Sequence, residues 1–143
     1  MKKLILSAVF TAITLTTFVS CSSDDGGSAP TEKNDFTNAN YIKSIMIGKW
    51  NYKGFFSGYW VYNGDVNKGY YTFKEDNTCE FKAGTYEDVK KGTYKIMPVV
   101  GDTYAMIDFT FDDGTKDIIM LLNLEGNVVE IQNKNYREKY EKQ

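Results

Sequence analysis

From Gly48 to Asn133 the chain is cut into short runs of Tyr, Phe, Val, Ile and Thr by clusters of Gly, Asn and Asp, a pattern with room for strands and for no long helix. The strand cores fall at about 48–56, 59–63, 69–74, 78–83, 91–97, 103–111, 115–123 and 127–133. Their connections carry turn chemistry: Asn63-Gly64-Asp65, Glu75-Asp76-Asn77, Pro98 to Asp102, Asp112-Asp113-Gly114 and Glu125-Gly126-Asn127. Several are short enough for hairpins, so the strands should run antiparallel, each beside the next. An open sheet of this kind would leave two unpaired edges. The spacing therefore predicts an all-β fold, an up-and-down antiparallel barrel of about eight strands. Ahead of it Tyr41, Ile42, Ile45 and Met46 recur at helical spacing until Gly48, which predicts one short helix.

Alternation within the strands assigns faces. Trp50, Tyr52, Gly54 and Phe56 form one inward set; Tyr71 with Phe73, Cys79 with Phe81, Gly92 with Tyr94 and Ile96, and Ala105 with Ile107, Phe109 and Phe111 form others. Cys79 then reads as a small buried hydrophobe, and Asp108 alternates outward. Ile118 to Leu122 is apolar on both faces, so its outer side should be covered, by the helix or by the C-terminal tail. The stretch Tyr136 to Lys142 alternates charges with tyrosines and, Arg137 apart, reads as a solvated tail.

The chain contains no histidine, which excludes Ser-His-Asp and Cys-His catalysis and histidine-based zinc sites. The acidic pairs at 75–76 and 112–113 sit where hairpins need turn formers and lack the spacing of a calcium-binding loop. No metal and no cofactor are expected, and the chain reads as a binding protein, not an enzyme. Without residues 1–20 it has 15 basic against 19 acidic side chains. Such a balance offers no electrostatic footprint for nucleic acid and no run of basic residues for anionic lipid.

The N-terminus is of a different kind. Lys2 and Lys3 precede an apolar stretch from Leu4 to Val19, followed by Ser20 and Cys21. This resembles the lipobox of bacterial lipoproteins, which implies cleavage before Cys21, lipidation of its thiol and a membrane hold through the acyl chains. The expected organisation is a signal peptide at 1–20, a lipidated polar tether at 21–40, and a barrel domain with a short C-terminal tail at 41–143. Asp24 and Asp25 resemble an acidic sorting signal, so the implied location is the cell envelope, at the outer membrane and its outer face.

Gly48-Lys49-Trp50, opening the first strand directly after the short helix, resembles the Gly-x-Trp signature of lipocalins and their calycin relatives. In that family the Trp closes one end of an eight-stranded barrel, and an Arg just beyond the last strand lies across its indole. Arg137 is the sole arginine here and follows the last expected strand. A lipobox, a polar tether, the run Phe73-Lys74-Glu75-Asp76-Asn77-Thr78 and Gly92-Thr93-Tyr94 are likewise similar to small lipocalin-like lipoproteins. The chain departs from larger lipocalins in having no long helix after the last strand and no disulfide, so side chains should fill much of the interior.

Two binding readings follow. Seven aromatics fall between Phe55 and Tyr71, and in a lipocalin-like barrel this segment would flank the mouth. In the first reading Tyr59, Trp60 and Tyr62, with the inward Tyr71, Phe73, Phe81, Tyr94 and Phe109, hold a small apolar or amphipathic ligand. In the second the barrel is a scaffold, and Tyr59, Trp60 and Tyr62 recognise a glycan or a partner protein. An inward placement of those three rings favours the first reading; an outward patch favours the second.

Overall fold

The structure, a computed structural model, describes residues 34–99 and 103–143. The expected leader at 1–20, the expected lipidation site Cys21 and most of the expected tether lie outside the described residues. The elements are helix α1 (Ala39–Met46), strands β1 (Gly48–Phe56) and β2 (Trp60–Tyr62), a single helical turn α2 (Gly64–Asn67), and β3 (Tyr70–Phe73), β4 (Thr78–Lys82), β5 (Lys90–Pro98), β6 (Ala105–Phe111), β7 (Lys116–Glu125), β8 (Val128–Asn133) and β9 (Tyr136–Lys142).

Strands β3 to β9 pair antiparallel in chain order, β3 pairs with the first half of β1, and β9 returns to pair with β1 from Trp50↔Lys142 to Phe55↔Glu138. The result is the closed, eight-stranded, antiparallel barrel that the spacing predicts, preceded by a short helix. Its membership differs from the expectation at both ends of the chain. The segment at 59–63 is no stave of the barrel. As β2 it forms a hairpin on the far half of β1, in register Gly54↔Tyr62 and Phe56↔Trp60. The stretch read as a solvated tail is the closing stave. Its charges at Arg137, Lys139 and Glu141 face outward while Tyr140 is buried, packing edge-on against Tyr52 at 5.5 Å and Tyr71 at 5.1 Å.

One residue of irregularity changes a face. The register of β1 against β9 shifts between Tyr52 and Gly54, and such a bulge inverts the alternation beyond it. Phe55 packs against the core, and Phe56, expected inward, is 38% exposed on the outside.

Helix α1 closes one end of the barrel, here called the floor. The Asn38 carboxamide caps it, accepting from the N–H groups of Asn40 (3.0 Å) and Tyr41 (3.2 Å). Ile42 and Met46 are buried, and Trp50, 1% exposed, donates its indole N–H to the Met46 carbonyl at 2.7 Å. Gly48 has φ +124°, and any side chain there would press on the Lys142 stem. The folded part begins earlier than the expected boundary at 41: Phe36 belongs to the core, and the Asn34 side chain donates to the Leu124 carbonyl at 2.7 Å.

The acidic turns are turns. Asp113 accepts from the Thr115 hydroxyl and N–H and pairs with Lys90 at 3.1 Å, which holds its carboxyl at about 2. Cys79 is a free, buried thiol that burial pushes up to about 11. The outer face of β7 is not covered as expected: α1 packs at the floor end and the C-terminal residues form β9, so Ile118 stands 49% exposed.

Candidate functional site

The inward aromatics do come together, but on one another. Tyr71 stacks on Phe81 (4.6 Å), Phe109 (5.6 Å) and Phe73 (5.9 Å); Phe73 meets Tyr94 edge-on at 5.1 Å, and Phe109 lies parallel to Phe111 at 5.8 Å. The Tyr94 hydroxyl is occupied by the Lys74 carbonyl at 2.9 Å. Of the five, Tyr71, Phe73, Tyr94 and Phe109 are buried and Phe81 is partly exposed. Each such ring contributes roughly 1.5–3 kcal/mol to the fold by leaving water. They form a packed core running from the floor toward the mouth.

Near the mouth the interior turns polar. The Tyr140 hydroxyl donates to Glu138 at 3.0 Å, and the Asn133 amide donates to Asp117 at 3.3 Å, while Asn133 Oδ1 is buried with no partner. Burial drives the Tyr71 and Tyr140 phenols far above the ordinary range and Tyr52 up to about 12, with the Glu138 carboxylate adding to each shift. Glu138 is itself raised by burial, against the hydrogen bond from Tyr140. Carbonyl and carboxylate acceptors, one of them unpartnered, thus gather at this end of the interior. Asp117, Asn133 and Glu138 were not among the expected site residues. Alternation alone could have found Asp117 in line with Ile119 and Leu121, and Glu138 in line with Tyr140.

Tyr59, Trp60 and Tyr62 lie elsewhere, on the outside of the barrel. Trp60 meets Phe56 edge-on at 5.5 Å, the Lys139 ammonium lies 4.3 Å from the Trp60 ring centre, and the Arg137 guanidinium lies 5.1 Å from that of Phe56. Tyr59 and Tyr62 are 71% and 59% exposed. The hairpin that carries them is held in place: Asn63 N–H donates to the Lys53 carbonyl at 3.1 Å, Tyr52 N–H to the Gly69 carbonyl at 2.8 Å, and the Thr85 hydroxyl to the carbonyl of Asn67 at 2.6 Å. Gly54 permits the close approach, since a methyl group at that position would collide with the Val61 carbonyl of β2. Beside Tyr62 runs a shallow groove of about 450 Å³ bordered by Asn51, Lys53 and Glu141, the last two ion-paired at 3.0 Å.

Arg137 is therefore not the cation over Trp50. Strand β9 runs antiparallel to β1, so its first residues lie beside Phe55 and Phe56 and its last beside Trp50. Five residues of strand, about 16 Å, separate Arg137 from the floor, and Arg137 pairs there with Glu130. Lys142 takes the position over the indole, its ammonium 5.4 Å from the Trp50 ring centre and donating to the Ile45 carbonyl at 2.8 Å.

Compared with protein-family models, with curated proteins and with solved structures, the chain matches none.

Proposed function

We propose that the chain is a lipid-anchored cell-envelope binding protein, similar in build to a lipocalin, in which the barrel is a scaffold and the outer hairpin of Phe56, Tyr59, Trp60 and Tyr62 recognises a glycan or a partner protein. The observation that carries this is a contrast of placement. The rings that line the interior are consumed by stacking on one another, whereas Tyr59, Trp60 and Tyr62 stand outside on a hairpin fixed by hydrogen bonds. Exposed aromatics flanked by cations are what sugar rings and protein partners bind. The absence of histidine is in keeping with binding instead of catalysis.

Trp60 supplies the readout, because Trp50 is buried. Titrating the mature chain with oligosaccharides from the producer's envelope should change the emission of Trp60 saturably, and Trp60→Ala should weaken binding about tenfold or more. Binding that survives Trp60→Ala unchanged would refute the assignment. A second reading rests on Asp117, Asn133 and Glu138 at the inner mouth: a carrier for an amphipathic ligand that presents hydrogen-bond donors to them. A small molecule retained by protein purified from its producer and seen by native mass spectrometry would favour that reading.

A further inference from the structure

Strand β6 stands four places round the ring from β1, on the side of the barrel opposite the aromatic hairpin. Cross-strand pairing arranges its outer surface in rows. Met97, Met106, Met120 and Gln132 face one another across β5 to β8, and next to them Lys95, Asp108 and Ile118 do the same across β5 to β7. Met106, Ile118, Met120 and Gln132 line a shallow hollow of about 440 Å³ whose rim carries Lys116 and Lys134. Among the described residues Lys95, Lys116 and Lys134 have no carboxylate within ion-pair distance, whereas nearby Lys90 is paired with Asp113. The patch also holds two acids: Asp108, opposite Lys95, and Asp117, which borders the hollow between Lys116 and Ile118 and accepts from the Asn133 amide. The three lysines are some twenty residues apart in the chain, so no basic run announces them.

We infer that this face rests on an anionic phospholipid bilayer, with Met97, Met106, Ile118 and Met120 at the level of the headgroup–acyl boundary and the three lysines among the phosphates. An apolar patch framed by unpaired cations is complementary to such a surface. Methionines adapt to irregular neighbours, and lysine stems can lie along apolar surface while their charge stays in water. The course of the chain agrees. Asn34, where the described structure begins, is bound to Leu124 on β7 itself, and the 13 residue-to-residue steps from Cys21 to Asn34 reach at most about 45 Å. A lipid on Cys21 thus keeps this face within reach of the bilayer, and the aromatic hairpin then points away from it. The inference rests on the anchor proposed above.

The test replaces the acyl anchor so that the two ideas fail separately. Among the described residues the strands and the core fall between Phe36 and Lys142, so the chain from residue 22 can be held through an N-terminal hexahistidine on vesicles bearing a nickel-chelating lipid. Nitroxide labels are placed at Ile118→Cys and, on the opposite side, Tyr62→Cys; Cys79 is buried. With roughly one-third phosphatidylglycerol in phosphatidylcholine, the label at 118 should lose contact with a water-soluble relaxing agent and gain contact with oxygen, while the label at 62 stays in water. Lys116→Gln and Lys134→Gln should each reduce the shielded population roughly fivefold. Equal water access at both positions overturns the inference, as does shielding at 118 that is unchanged without the anionic lipid. Shielding present before vesicles are added assigns the face to a second copy and overturns it too. Mass spectrometry of Cys21 in the native chain tests the anchor independently.

Discussion

Trp50 and Trp60 sit on adjoining strands, each with a lysine ammonium over its ring, and they differ in what surrounds the rest of the indole. Trp50 is enclosed by the floor helix, and its N–H and its cation are both tied to carbonyls of that helix, at Met46 and Ile45. Trp60 lies outside against Phe56 and Lys139. The same pair of residue types therefore serves cohesion in one place and stands on the outer surface of the barrel in the other. The cation–π contact follows the same division, since it is worth about 2 kcal/mol when desolvated and 0.5–1 kcal/mol when exposed.

The largest test of this contrast is to remove each indole. Trp50→Ala should cost about 3–5 kcal/mol in a urea melt, whereas Trp60→Ala should stay within about 1 kcal/mol and act on binding. Comparable losses at both sites would break the comparison. Gly54→Ala comes next, at about 1–3 kcal/mol, because the hairpin must shift away from the added methyl; the emission of Trp60 should report the displacement and that of Trp50 should not. Smaller again is Lys142→Ala, at about 1–2 kcal/mol for the lost contact with Trp50 and the freed Ile45 carbonyl. Arg137→Ala should cost less than about 0.5 kcal/mol, because its pair with Glu130 is partly solvated. If Arg137→Ala proved the costlier of the two, the floor would not be locked by Lys142.

The smallest effect concerns the mouth. Burial raises the Glu138 carboxyl, so the folded state holds its proton more tightly than the unfolded one. The stability this confers is complete below the unfolded value of about 4.3 and is lost as pH rises through the folded value. Glu138→Gln, which still accepts from Tyr140, should therefore match the parent at low pH and exceed it slightly at neutral pH. A loss found at neutral pH and absent at low pH would mean instead that the carboxylate is held charged by its neighbours.

The barrel was legible because strand periodicity and turn residues depend on local sequence alone. Two features were not. The bulge in β1 leaves no mark in the alternation of Trp50, Tyr52, Gly54 and Phe56, because glycine fits either face, and so the alternation alone puts Phe56 inside. Strand β9 was hidden because its inward positions include Glu138 and Lys142, charged residues that an inside–outside rule assigns to water; the carboxylate lies beside Tyr140 near the mouth and the ammonium is used at the floor. The candidate site shows the same limit. The aromatic residues of the hairpin could be named from sequence, but which side of β1 they occupy depends on that bulge. The lysine-framed patch arises from pairing among β5, β6, β7 and β8, which no local pattern encodes.

The seam between β1 and β9 joins residues as far apart as Trp50 and Lys142, so the contact that completes the fold is also among the longest in sequence. Contacts of this kind form slowly. Until β9 has paired with both neighbours, β8 and β1 each keep an unpaired strand edge, a template for aggregation. The same geometry makes β9 a point of vulnerability to proteolysis: loss of Tyr136–Lys142 would reopen the barrel along the seam with β1.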